Sequence, residues 1–276
     1  MRTLVMRGKP VADAMRKKIE GKIKAAEKCG VKPALAIITA GKDPASHVYK
    51  DRLVKLTESL GASAKVVILP GNASLEQVLF EVRKLNRNRY VHGILPTMPM
   101  PRHIDGRAVA AAIAPNKDVD CLNPKNMGEV FSGESTWAPC TPRACMAILK
   151  YYGIKPEGKK AVVIGRSNVV GKPVAMLLLK ENATVTVCHS RTENLASVLK
   201  TSDIIVAAVG AANFVKPDMV KNGAVIVDVG INAVDGGIAG DVDPAAAEKA
   251  AAFTPVPGGV GVVSNMMVME CLCRNL

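Results

Sequence analysis

Short apolar, β-branched runs alternate with helical stretches along almost the whole chain, and this alternation constrains the fold more than any other feature. In the second half the runs fall at residues 161–164, 184–188, 204–209 and 224–229, with helix-compatible segments between them. The alternation of such runs with helices predicts a doubly wound, mainly parallel sheet. The first half repeats the pattern. Strands are expected at 34–40, 64–69 and 91–95. Between them lie a helix opened by Asp43-Pro44 and closed by Gly61, and another over 74–87. Val11, Met15, Ile19, Ile23 and Ala26 recur at helical spacing before the first strand. Prolines 96, 99, 101, 115, 124, 139 and 142 exclude a long regular element between the halves and predict loops, followed by a helix over 144–152. A last apolar helix is expected at 262–274. The 276 residues are enough for two α/β domains, each with its own core.

The strand at 161–164 runs into Gly165-Arg166-Ser167, and Gly171 and Pro173 then open a helix. A strand–turn–helix of this kind offers N–H groups and a positive dipole end to a dinucleotide pyrophosphate. The spacing also fits a βα turn that binds nothing. The next run ends in His189-Ser190-Arg191, without the acidic residue that holds the ribose 2′-hydroxyl of NAD. Arg166, Ser190 and Arg191 instead suit the 2′-phosphate of NADP, with NAD not excluded. Later strands end at Gly210 and at Gly230-Ile231, further candidates for cofactor contact.

Charge and cysteine usage narrow the class. The formal net charge is +13, and residues 1–60 carry fourteen basic against six acidic side chains. Aromatic content of 3% and the lack of a recognition motif argue against nucleic acid as a partner. Steering of small polyanions, or a merely solvated helix face, accounts for the excess. Seven scattered cysteines fit reduced thiols, and no metal site is expected. No run reaches membrane-spanning length, so a cytoplasmic, membrane-free protein is expected.

Three constellations outside the nucleotide unit carry chemistry. Ser46 and Tyr49 lie on the second helix, where Tyr49, Leu53, Leu56 and Leu60 share a face. That stripe equally describes core packing with Tyr49 as its polar end. Gly93 to Pro101 is a strand end entering a rigid turn, with Thr97 its only polar side chain. Lys117-Asp118-Val119-Asp120 offers a carboxylate to two adjacent N–H donors of a heterocycle, or a turn aspartate bonded to its own backbone.

Together the motifs Pro44-Ala45-Ser46 with Tyr49, Gly93-Ile94-Leu95, Lys117 to Asp120, Pro139 to Pro142, Gly165-Arg166-Ser167, Asp228 to Asn232, Gly240-Asp241 and Thr254 to Gly261 resemble the bifunctional methylenetetrahydrofolate dehydrogenase/cyclohydrolase family. The resemblance covers nearly the whole chain. It implies a folate domain of residues 1–142 with 266–276, a Rossmann-type NADP domain of residues 143–265, a homodimer, and a tetrahydrofolate substrate with a polyglutamate tail. It also implies that Tyr49 and Asp120 bind the pterin, that Pro257, Gly258 and Gly259 lie near the substrate, and that Gly165, Arg166, Ser167, Ser190 and Ile231 contact the nucleotide.

The departures from the family pattern are specific. Leu53 stands where the family has its cyclohydrolase lysine, and Thr97 where it has a glutamine. Cys121 replaces a glycine, and Val262-Val263-Ser264 replaces Pro-Met-Thr. Hydride removal needs alignment but no general base, whereas hydrolysis of the resulting methenyl cation needs water activation and proton movement. The expectation is therefore an NADP-dependent dehydrogenase with weak or absent cyclohydrolase activity. Two alternatives are a bifunctional enzyme using Lys50 as a relocated lysine, and a catalytically silent folate- or nucleotide-binding paralogue.

Overall fold

The computed structural model describes residues 3–135 and 137–276. The chain divides into two compact units, residues 14–129 with 268–276, and residues 1–13 with 130–267. The boundaries that the family resemblance implies are 142/143 and 265/266. The first thirteen residues join the second unit because the strand β1 (Leu4–Val5) adds to that unit's sheet.

In the first unit α1 (Gly8–Lys28), which begins in the other unit, is followed by β2 (Ala34–Ala40), α2 (Pro44–Ser59), β3 (Ser63–Leu69), α3 (Leu75–Arg87), β4 (Gly93–Pro96) and α4 (Gly106–Ala112). The sheet is three-stranded and wholly parallel, in the order β3-β2-β4. One of its faces packs Ala36, Ile38 and Ile94 against Val78, Val82 and Leu85 of α3 and Val109 of α4, all buried. Local signals set the helix ends. Asp43 caps α2 by accepting from the Ser46 N–H at 2.7 Å, with Pro44 in the first turn. Ser74 and Gln77 form a reciprocal capping box on α3.

Helix α5 (Pro124–Phe131) carries the chain out of the first unit, and the second continues through α6 (Cys140–Tyr151), β5 (Lys160–Ile164), α7 (Gly171–Lys180), β6 (Thr184–Cys188), α8 (Leu195–Lys200), β7 (Ile204–Ala207) and β8 (Val225–Asp228). There follow the hairpin β9 (Asn232–Val234) and β10 (Gly237–Ala239), then α9 (Pro244–Glu248), β11 (Ala252–Phe253) and α10 (Val260–Leu272), whose residues from 268 on belong to the first unit. Six strands form one parallel sheet in the order β1-β11-β8-β7-β5-β6. Its core includes Val162, Ile164, Cys188, Leu199, Ile205 and Ile226. The doubly wound expectation therefore describes the architecture.

Three local expectations are corrected. Helix α6 starts at Cys140 rather than at residue 144, because Pro142 falls in its first turn, where the missing N–H costs nothing. The proline-rich stretch holds two short helices, α4 and α5, rather than loops alone. Helix α10 begins two residues earlier than expected and is largely apolar; Val263, Met266, Val268, Met269 and Leu272 are buried. Among the described residues no helix is long and apolar enough to cross a membrane, and no cluster of metal-ligating side chains occurs. All seven cysteines are free thiols; Cys29, just after α1, is exposed and the other six are buried.

Candidate functional site

In the six-stranded sheet β6 lies on one side of β5 while β7 and β8 lie on the other. The chain therefore reverses direction between β5 and β7, which is where parallel sheets bind ligands beyond their strand ends. Gly165 follows β5 at this point. Its φ of +125° is open only to glycine, and a side chain there would overlap the Ala208 carbonyl. Its N–H donates to the Cys188 carbonyl at 2.8 Å, while Ala208 N–H donates to Ile164 at 2.8 Å, so three strand ends are drawn together. The Ser167 hydroxyl accepts from Val170 and Gly171 at the start of α7. Among the described residues none accepts a hydrogen bond from the backbone N–H groups of residues 166–169. That run of donors is exposed ahead of the positive end of α7.

The turn after β6 completes this edge. Thr192 Oγ1 accepts from His189 N–H at 2.8 Å, and His189 Nδ1 accepts from Arg191 N–H at 3.1 Å. The turn leaves Ser190 and Arg191 exposed, as is Arg166, and residues 188–192 include no carboxylate. Free N–H donors, two arginines and an acid-free turn fit a dinucleotide that carries an additional phosphate.

Gly210 (φ +70°) and Ile231, 65% exposed, follow β7 and β8 at the same edge. Pro257, Gly258 and Gly259 follow β11; the Val256–Pro257 bond is cis, and the Gly258 carbonyl accepts from Gly8 N–H at 2.8 Å.

The three-stranded sheet has its own reversal point, between β2 and β4. Thr39 and Thr97 straddle it, both buried. The Thr97 hydroxyl lies 3.1 Å from Thr39 Oγ1 and 3.4 Å from the Ile38 carbonyl. Ser46 Oγ donates to the Met98 carbonyl at 3.2 Å, which ties the first turn of α2 to the loop after β4. Tyr49, one turn further along, is half-buried. Asp118 bridges in parallel to Ile94 of β4, so Asp120, two residues on, lies towards the same carboxyl edge. Tyr49, Thr97 and Asp120 are thus brought to one edge of this unit.

Leu53 is different. It is fully buried on α2, and its carbonyl accepts from Thr57 Oγ1 at 2.7 Å. Lys50 lies on the stripe formed by Ser46, Leu53 and Thr57; its side chain is only 12% exposed and pairs with Asp51 at 2.9 Å.

The residues beside Asp120 have structural duties that sequence reading did not assign. Lys117 Nζ donates to the carbonyls of Leu85, Asn86 and Asn88, closing the C-terminal end of α3. Burial lowers the pKa of this lysine. Asp118, also buried, accepts from Leu122 N–H, Asn123 N–H and Asn126 Nδ2; burial pushes its carboxyl up against those donors. Asp228 and Asp241, to which the sequence assigns no role, are both buried hubs of hydrogen bonds. A carboxylate inside an apolar, glycine-rich context was the available signal.

Comparison with known proteins adds a consistent set of matches. Residues 6–120 match the model of the tetrahydrofolate dehydrogenase/cyclohydrolase catalytic domain, and residues 139–276 match that of the NAD(P)-binding domain of the same family. The bifunctional protein FolD 2 of Desulfitobacterium hafniense is 44% identical over 270 residues, covering 98% of this chain and 95% of that protein. The crystal structure of the bifunctional FolD methylenetetrahydrofolate dehydrogenase/cyclohydrolase from Campylobacter jejuni superposes with a TM-score of 0.96 at 38% identity, covering 99% and 98% of the two chains. The Trypanosoma brucei enzyme, complexed with NADP cofactor and inhibitor, has a TM-score of 0.93 at 37% identity, covering 99% and 96%.

Proposed function

Because this chain belongs to the tetrahydrofolate dehydrogenase/cyclohydrolase family, we propose that it oxidises 5,10-methylenetetrahydrofolate to 5,10-methenyltetrahydrofolate and that its cyclohydrolase step is weak or absent. It is an NADP-dependent methylenetetrahydrofolate dehydrogenase. The observation that carries this reading is the run of unaccepted N–H groups at 166–169 beside the acid-free turn at 188–192.

NADP, when bound, supplies the hydride acceptor. Gly165, Arg166 and Ser167 would hold its phosphates, Ser190 and Arg191 its 2′-phosphate, and Gly210 and Ile231 would flank the rest of the dinucleotide. Asp120 accepts two ring N–H donors of the pterin, Tyr49 lies against it, and Pro257, Gly258 and Gly259 line the substrate. Loss of hydride leaves a resonance-stabilised methenyl cation, so these residues need to bind and align but not to move a proton. Ring opening is another matter. A leucine at position 53 neither activates water nor carries a proton, and the Thr97 hydroxyl is turned towards Thr39 and Ile38. General acid–base help is worth about 10²–10⁴-fold, and that factor is what the chain lacks.

The test is a pair of assays on one preparation, each with NADP and with NAD. We expect NADP reduction with methylene-folate, and ring opening of methenyl-folate close to background. A fast ring opening sinks the weak-cyclohydrolase reading. Measurable NADP binding without turnover would leave a silent paralogue. The position of Lys50 on the buried stripe with Ser46 and Leu53 supports a second reading, a fully bifunctional enzyme. In that case Lys50→Ala abolishes a ring-opening rate that the unaltered protein displays. The reduced thiols favour a cytoplasmic location, and the +13 charge favours polyglutamylated folates. A homodimer completes the proposal.

A further inference from the structure

Three consecutive N–H groups after β7 converge on one carboxylate. Asp241, fully buried, accepts from Val209 N–H at 2.6 Å and Gly210 N–H at 3.0 Å through Oδ2. Its Oδ1 accepts from Ala211 N–H at 3.0 Å and from Asn232 Nδ2 at 2.9 Å. Asp241 N–H in turn donates to Asp228 Oδ1 at 2.9 Å. That oxygen also takes Gly230 N–H at 2.9 Å, and Oδ2 takes Val242 N–H at 3.0 Å. Asp228 N–H donates to Thr254 Oγ1 at 2.8 Å. Two carboxylates therefore gather the loops after β7, β8 and β11 and the base of the β9–β10 hairpin. Packing is tight: a side chain at Gly230 would overlap the Asp241 carboxyl group.

Successive N–H groups that point into a concavity make an anion site. At residues 166–169 such groups are unaccepted, whereas at residues 209–211 the anion is part of the chain. A phosphate arriving at the loop after β7 would find its donors taken and a like charge behind them. We infer that Asp241 is a positioning residue that fills the anion nest after β7, so that NADP binds in one polarity: phosphates on residues 166–169 and 190–191, the nicotinamide riboside on residues 209–211 and Ile231. The inference rests on the NADP reading above. Asn232, bonded to Asp241 and adjacent to Ile231, carries the effect to the outer wall of that position.

The test is calorimetric binding to Asp241→Asn of two ligands: NADP, and 2′,5′-ADP, which carries only the phosphate-rich half. Asparagine keeps one acceptor oxygen and loses the charge, so the nest is emptied in part. Affinity for NADP is expected to fall tenfold or more, with affinity for 2′,5′-ADP within twofold of the unaltered protein. Equal weakening of both ligands means a general structural role and overturns the inference, as does no change in either. Asn232→Ala, a milder variant, is expected to move in the same direction by a smaller factor; it decides the question if Asp241→Asn does not fold. Failure of the unaltered protein to bind NADP would overturn the functional reading and this inference together, whereas normal NADP binding with a neutral Asp241→Asn overturns this inference alone.

Discussion

The carboxyl edges of the two parallel sheets are built from different materials. In the six-stranded unit the donors at the reversal point are main-chain N–H groups, fixed by Gly165 and by the buried carboxylates of Asp228 and Asp241. At the corresponding point of the three-stranded unit the groups are side chains, Tyr49, Thr97 and Asp120, and Leu53 on α2 is fully buried. A site made of backbone survives substitution of most of its residues, because every residue but proline supplies the same N–H. A site made of side chains loses its chemistry with one or two changes while the fold stays intact. On the function proposed above, this accounts for a chain whose turn at 165–167 holds the nucleotide while positions 53 and 97 no longer help to open a ring.

The contrast breaks most visibly if a lysine and a glutamine are placed at positions 53 and 97. Leu53→Lys with Thr97→Gln is expected to raise ring opening of methenyl-folate by about 10²-fold or more, followed as decay of the methenyl chromophore, with dehydrogenase kcat/KM little changed. An unaltered ring-opening rate would mean that side-chain identity at this edge is not what separates the two activities.

An effect on stability rather than on rate is expected from the backbone-built edge and its buried carboxylates. Burial above all, with the neighbouring Asp241 charge adding to it, pushes Asp228 up to about 6 from 3.8, despite three backbone N–H donors. A carboxyl whose folded value exceeds its unfolded value contributes stability that is fully present below the unfolded value and is lost as pH rises through the folded one. At 1.36 kcal/mol per unit the loss between about pH 4 and pH 7 is roughly 3 kcal/mol. Denaturant unfolding across that range should show it as a fall in stability relative to Asp228→Asn. Parallel curves for the two proteins would place Asp228 among ordinary carboxyls.

The smallest effect concerns the exposed turn after β6. Arg191→Ala should lower the preference for NADP over NAD by about tenfold, the worth of one charge-assisted hydrogen bond to phosphate. Paired KM values for the two nucleotides measure it. An unchanged ratio would assign the 2′-phosphate to Arg166 and Ser190 alone.

Elements with strong local signals were legible in the sequence. The Asp43-Pro44 pair and Gly61 mark α2, the Ser74 cap marks α3, and the apolar runs mark β2, β5, β6 and β8. What was not legible was short or non-local. β1 and β11 have two residues each, too few for any periodicity, and exist because they pair with each other and with β8. The β9–β10 hairpin had the turn residues Asp235-Gly236 but only three residues on either side. At the candidate site, the spacing around Gly165 announces a strand–turn–helix but not whether it binds a ligand. The bonds of Asp241 to residues 209–211 span about thirty positions of sequence, and no local pattern announces them. Lys117 and Asp118 were hidden for another reason: charged residues beside a candidate ligand read as ligands too, until their partners are seen to be the end of α3 and the residues 122–126.

The uneven exposure of the seven thiols has a practical consequence. With Cys29 at the surface and the others enclosed, a maleimide dye should couple at a single position of the native chain without removal of any other cysteine. The fluorophore would stand beside the end of α1, remote in sequence from every proposed folate and nucleotide contact. Titrated with NADP or a folate, such a singly labelled protein would report on each ligand by anisotropy or energy transfer.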